Sequence, residues 1–170
     1  MNKVALILCT LLGIAAAAAP AAFRPEVRLV YNASSSAPLG LYGVQSAQSP
    51  KIGDYVLATL PTDAAALAAR RGYLPAGLPI VKRVGAVAGQ HVCARGDALM
   101  LDGTPSGRIL RSDQQGRALP AWRHCRSLAA GEIFLLSATN PASFDSRYFG
   151  PVPASSVRGR AVPLWTWSAS

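Results

Sequence analysis

The sequence predicts a mainly β domain preceded by one apolar helix. Residues 4–22 carry no charge at all. From Val27 onward, short runs rich in β-branched and aromatic residues alternate with Gly, Pro, Asp and Ser breaks. One Ala-rich stretch, residues 64–71, interrupts them with helical character. At 170 residues the chain suits a single core, which usually serves about 100–200 residues. With 51% hydrophobic and 15% charged residues it is too apolar to be a disordered tail. The glycines and prolines follow no period and no internal repeat is present, which excludes collagen, solenoids and propellers.

The apolar segment spans 19 residues between Lys3 in front and Arg24 behind. That can just cross a hydrocarbon core, which needs about 20 apolar residues. Two readings stay open: an uncleaved anchor, or a secretory signal, because Ala-x-Ala patterns fall within residues 16–22. A buried core helix fits less well, since such a helix rarely lacks a polar face. Both open readings export the rest of the chain. They divide it into an N-terminal membrane anchor or signal segment, residues 1–23, and a folded domain, residues 24–170.

Within that domain, residues 27–31 and 40–44 read as strands. Lys51 to Asp54 form a turn into a strand at 55–60. Thr62 and Asp63 precede the 64–71 helix as its cap, and Gly72 stops it. Residues 79–84, 90–93 and 98–101 read as strands, and Asp102-Gly103 signals a hairpin. Residues 104–124 read as a polar loop or extended insert. A buried strand at 132–137, a Pro/Ser/Gly-rich loop at 138–153 and strands from 157 to 167 complete the chain.

Net charge is +9, but the basic residues are spread out and do not interleave with aromatics, so nucleic acid is not an expected partner. Anionic lipid headgroups suit the charge equally well. Cys93 and Cys125 form an even pair in the exported part, whereas Cys9 sits inside the apolar segment. In an oxidising compartment the pair could close a disulfide; two free thiols or a metal site are the alternatives. His91, Cys93, His124 and Cys125 have zinc-ligand types but poor zinc spacing, so no metal and no cofactor are expected. No phosphate loop, dinucleotide fingerprint, His-Glu-x-x-His or Gly-x-Ser-x-Gly motif is present.

Lysine is the informative residue. The chain has only Lys3, Lys51 and Lys82. Lys51 lies in a turn, but Lys82 follows Pro79-Ile80-Val81 in an apolar strand. If buried, its amine loses proton affinity and can serve as a general base toward a hydroxyl. If its face is solvated, it is an ordinary strand lysine. The serine-rich turn 34–36 and the 143–150 loop each read alone as plain turns, the second with an Asp145–Arg147 pair.

Taken together, these segments carry a resemblance. Ser36-x-Pro38-x-Gly40-Leu41-Tyr42, then Lys82-Arg83-Val84, then Ser143-x-Asp145-Ser146-Arg147-Tyr148-Phe149-Gly150, resemble the signal peptidase I clan of Ser-Lys serine peptidases. The nearest branch is the TraF-like conjugative-transfer signal peptidases. The resemblance covers nearly all of residues 1–167. It implies a signal-peptidase-like β-fold with an N-terminal membrane-associated helix. It implies Ser36 as nucleophile, Lys82 as general base, the Ser36 N–H and the Ser34 hydroxyl as oxyanion donors, and Asp145 with Arg147 as supports. The implied substrate is a precursor protein, pilin-like or signal-peptide-bearing, matured at the inner membrane on its periplasmic face, or in the periplasm if the leader is cleaved. Two departures stand out. Proline is one residue nearer the serine than in leader peptidases, which would make Ser35 the nucleophile if proline set the register. The usual Gly-Asp-Asn is replaced by Ser137-Ala138-Thr139-Asn140. The rivals are a general type I signal peptidase, a Ser-Lys autoproteolytic repressor, and a non-catalytic periplasmic module of the conjugation apparatus, in which Ser36 and Lys82 would lie apart.

Overall fold

A computed structural model describes residues 2–22, 28–46, 49–137 and 139–167. The expected boundary between 23 and 24, and the first expected strand residue, Val27, lie outside them. The chain runs α1 (Lys3–Ala22), β1 (Leu29–Asn32), β2 (Leu39–Gln45), β3 (Tyr55–Ala58), α2 (Thr62–Arg70), β4 (Ile80–Val87), β5 (His91–Arg95), β6 (Ala98–Leu101), β7 (Thr104–Arg108), β8 (Cys125–Ser127), β9 (Glu132–Leu136), α3 (Ser146–Phe149), β10 (Val152–Pro153) and β11 (Val157–Trp167). The fold is mainly β with an N-terminal helix. Val4, Leu6, Ile7, Leu8, Leu11, Leu12 and Ile14 of α1 are all exposed. Among the described residues no helix is long and apolar enough to cross a membrane.

Two antiparallel sheets form the domain. The larger has strand order β1-β2-β11-β3-β4-β9-β10 and the smaller β7-β6-β5-β8. The whole smaller sheet is one insertion in sequence between β4 and β9, which are neighbours in the larger one. Val92, Leu99, Ile109 and Leu128 from the insertion pack with Ala86, Phe134 and Tyr148 in one cluster. The two sheets therefore share a core, and burying that apolar surface is the main stabilising term. The hairpin between β6 and β7 turns at Asp102 and Gly103, both with positive φ (47° and 78°). That twist matches the strands and is why Asp-Gly signals a two-residue hairpin.

Three local expectations need correction. Thr62 and Asp63 do not cap α2: the N-cap is Pro61, no side chain caps the end, and Thr62 begins the helix. Proline holds the extended entry φ that a cap position needs, and the Asp63 carboxylate in the first turn suits the positive helix end. Residues 104–124 are more ordered than a loop: they contain β7 and a small hairpin closed by a Ser112–Ala118 bridge. Residues 138–153 contain α3, whose N-cap Asp145 accepts from the Arg147 N–H.

Gly40 explains one residue of the serine motif. Its φ is +128°, and a Cβ there would meet the Trp165 carbonyl oxygen at 2.1 Å. Gly40→Ala therefore combines backbone strain with a backbone clash. It should cost at least about 2 kcal/mol, read as a lower urea midpoint at unchanged slope.

Candidate active site

The site gathers on β4 and on the two loops beside it. Along β4, Val81, Lys82 and Val84 are buried and only Arg83 is exposed. Val81 packs with Ala37 of the serine loop. The opposite face of β4, where Lys82 lies, meets the 137–147 loop. Lys82 is 4% exposed, and its Nζ donates to Ser143 Oγ. Burial brings its pKa down to about 8; Asp145 pulls the other way and Arg147 lowers it further.

Ser36 lies in the β1–β2 loop and is 6% exposed. Its Oγ donates to the carbonyl of Val81, the residue before Lys82, at 3.3 Å, and is 2.8 Å from Ser34 Oγ. Buried Asn32 shapes this loop. Its Nδ2 donates to the carbonyls of Ala37 (3.1 Å) and Pro38 (3.0 Å). Its Oδ1 accepts from the N–H (3.2 Å) and the Oγ (2.9 Å) of Ser34. Tyr42 adds a 2.7 Å hydrogen bond to the Pro38 carbonyl. A serine hydroxyl has a single proton, so with Ser34 donating to Asn32 the Ser36 proton goes either to the Val81 carbonyl or to Ser34, and serving an oxyanion would require the Ser34 hydroxyl to turn from Asn32. Ser35 lines the same cleft, but its Oγ accepts from Asn140 Nδ2 at 2.7 Å and its carbonyl from Thr139 Oγ1 at 2.9 Å.

The 137–147 loop holds both sides together. Ser137 Oγ donates to the Ser36 carbonyl at 2.9 Å, and Ser143 receives the Lys82 amine. Asp145 and Arg147, 0% and 4% exposed, fasten the loop through a two-pronged ion pair with both contacts at 2.8 Å. Asp145 also accepts the Ser137 N–H at 3.0 Å. Arg147 donates to the carbonyls of Arg108 (2.7 Å), Pro141 (2.9 Å) and Ser143 (3.1 Å). A buried pair of this kind repays its desolvation only with such extra hydrogen bonds.

Ser36, Lys82 and Ser143 line one cleft of about 370 Å³, whose apolar wall includes Leu60, Ala68, Leu74, Ile80 and Ala142. The structure thus brings Ser34, Ser36, Lys82, Asp145 and Arg147 into one region. Ser36 and Lys82 line the same cleft, where the Ser36 hydroxyl bonds to the Val81 carbonyl and the Lys82 amine to Ser143. Sequence reading named Ser143, Ser137, Thr139 and Asn140 without giving them a role, and missed Asn32. The departure at residues 137–140 was the available signal, since three of those four residues brace the serine loop.

Cys93 and Cys125 lie opposite each other in the β5–β8 register and are paired as a disulfide. His91 joins them within ligand distance, but sulfurs bonded to each other are not thiolate ligands. Thiol titration of the denatured chain should find only Cys9 before reduction and all three cysteines after it.

With the fold and this geometry described, sequence comparison decides the family. The signal peptidase, peptidase S26, profile matches residues 1–167. The chain belongs to the signal peptidase family, peptidase S26. Among individual relatives, it is 36% identical over 147 residues to a probable conjugal transfer protein TraF from Sinorhizobium fredii, covering 81% of this chain and 77% of that one. It is 36% identical over 146 residues to the conjugal transfer protein TraF of Agrobacterium fabrum, covering 80% and 81%. It is 34% identical over 146 residues to a plasmid transfer protein TraF from Escherichia coli, covering 80% and 82%. A crystal structure of a signal peptidase I from Enterococcus faecalis superposes at 23% identity and a TM-score of 0.42, covering 68% of this chain and 98% of that one. That superposition is too loose to carry an argument, and the S26 assignment rests on the sequence matches.

Proposed function

We propose that this S26 member is a serine endopeptidase that matures an exported or membrane-inserted precursor for conjugation, a pilin precursor in particular. The observation that carries the reading is the burial of Lys82 in the cleft that Ser36 also lines. In the proposed reaction Lys82 Nζ, neutral, takes the Ser36 Oγ proton as the oxygen attacks the scissile carbonyl. The Ser36 N–H donates to the oxyanion, and the leaving amine takes the proton from Lys82. Ser143 aims the amine, and Asp145 with Arg147 holds Ser143. The acyl-enzyme then yields to water, or to the substrate's own N-terminal amine, which closes a ring. The conjugal transfer names of the TraF relatives support the setting.

The proposed location is the periplasmic face of the inner membrane. Exposed aliphatic residues of α1 support it, as do exposed Leu29, Tyr31, Leu164, Trp165 and Trp167 at the β1–β2–β11 edge. Aromatic residues of this kind favour the headgroup level.

Only the neutral amine accepts a proton, so activity should rise with pH. The rate kcat/KM should gain tenfold per pH unit below about 8 and level off above it, as read from a pH–rate profile. Identification of the product comes from co-expression with the pilin-like precursor encoded nearest the gene, followed by intact mass. A truncated product absent with Ser36→Ala and with Lys82→Ala is expected. A product about 18 Da lighter than the hydrolysed one, because the amine and not water releases the acyl group from Ser36, would mark cyclisation. Processing that survives both substitutions sinks the mechanism.

A further inference from the structure

The small hairpin at residues 111–119 lies in the inserted segment between β7 and β8, outside the smaller sheet, and its tip lines the same cleft as Ser36 and Lys82. Asp113, Gln114, Gln115, Arg117 and Leu119 all face that cleft. The two feet of the hairpin are anchored by packing: Ile109 is buried, and Leu110, Leu119 and Ala121 lie against the shared core. The tip is held by polar bonds that converge on one carboxylate.

Asp113 accepts from the Tyr73 hydroxyl, from Arg117 Nε at 2.7 Å, and from the N–H groups of Gln115 (3.0 Å) and Arg117 (2.9 Å). It also pairs with Arg71 at 3.6 Å. Arg71 donates to the Ala118 carbonyl at 2.7 Å, and Arg117 returns a bond to the Arg71 carbonyl at 3.3 Å. Arg71 and Tyr73 come from the end of α2 and the turn after it, so Asp113 ties the hairpin directly to that end of the helix, beside the cleft that both line. Partial burial raises the Asp113 carboxyl, but the hydrogen bonds outweigh it and hold the group well below the usual range, so the latch stays charged at working pH. Tyr73 packs on Phe144 at 5.5 Å, and Phe144 stacks on Tyr148 at 5.8 Å; all three rings line the cleft.

We propose that Asp113 is a positioning residue that latches the 111–119 hairpin to the end of α2, so that the two together form one wall of the cleft in which an extended polypeptide binds. This rests on the peptidase reading. Because the wall touches the peptide away from the reacting carbonyl, it contributes binding that is equal in the ground and transition states, and its loss raises KM with little change in kcat.

The test uses the full-length chain in detergent and a quenched fluorogenic peptide built around Ala-Gln-Ala, with Asp113→Asn, Tyr73→Phe and Ser36→Ala compared with the parent. Amide exchange at residues 112–118 should speed up in Asp113→Asn while β4 and β9 stay protected. KM should rise about tenfold in Asp113→Asn and less in Tyr73→Phe, with kcat within about twofold and the pH limb still near that of the parent. The unchanged limb separates a lost wall from a disturbed Lys82, which general unfolding would move. An unchanged KM with a freed hairpin overturns the proposal, and so does unchanged exchange at the tip. Turnover that persists in Ser36→Ala overturns the Ser-Lys reading instead, and leaves the KM comparison to judge the latch.

Discussion

Ser36→Ala and Lys82→Met should each lower kcat by about 10⁴–10⁶, and the double variant should be no worse than either single one. Nucleophile and base act as one unit, so losing either leaves only binding and oxyanion stabilisation. Lys82→Met is the sharper of the two because it keeps the length and apolar stem of the side chain. It deletes an amine that is 4% exposed and that the fold disfavours in its charged form. Its melting temperature should match or exceed that of the parent at pH 7, so that inactivity cannot be blamed on unfolding. The sign follows from linkage. The folded pKa, about 8, lies below the ordinary value of 10.5, so the unfolded chain binds the proton more tightly. Stability from this group therefore rises as pH climbs between those values and is lost as pH falls through the lower one. Lys82→Met should remove that slope, as measured by urea unfolding at several pH values. Lys82→Arg should be inactive too, because a guanidinium does not give up its proton.

The second large effect concerns the buried ion pair. Asp145→Ala would leave the Arg147 guanidinium, 4% exposed, without its counter-charge, and breaking a buried pair from one side costs about 3–5 kcal/mol. For a domain of this size that corresponds to a fall of about 6–20 °C in melting temperature. The loss should also reach the chemistry, because Asp145 holds the Ser137 N–H and Arg147 holds the Ser143 carbonyl. A shift of about 1 Å in the Ser143 hydroxyl would misplace the Lys82 amine and cost about 10²-fold in kcat. Calorimetry and turnover on the same preparation read both effects. Arg147→Met with Asp145→Leu, which removes both charges, should recover part of the stability but none of the positioning.

The strand pattern was legible because it depends on local chemistry: alternation, Asp102-Gly103, and the glycine after α2. Lys82 stood out by its apolar neighbours, but its sequence surroundings fit a solvated strand face as well as a buried one. What buries it is the 137–147 loop, more than fifty residues away in sequence, and no local pattern in β4 announces that cover. Ser143 and Ser137 looked like turn residues for the same reason. Their roles come from a loop shaped by an ion pair that only the folded chain brings together. Within 104–124, read as a polar loop or extended insert, the Asp113 bonds to Tyr73 and Arg71 form only in the folded chain. Asn32, at the end of β1, carried no signal because an asparagine before a serine run is ordinary turn chemistry.

The central claim is that Lys82 is neutral enough to act as a base. The chain has only three lysines, Lys3, Lys51 and Lys82, so labelling lysine side chains with ¹³C at Cε gives a spectrum simple enough to titrate each one. The resonance absent from Lys82→Met should titrate near 8. If that resonance titrated near the ordinary lysine value of about 10.4, Lys82 would not be the base.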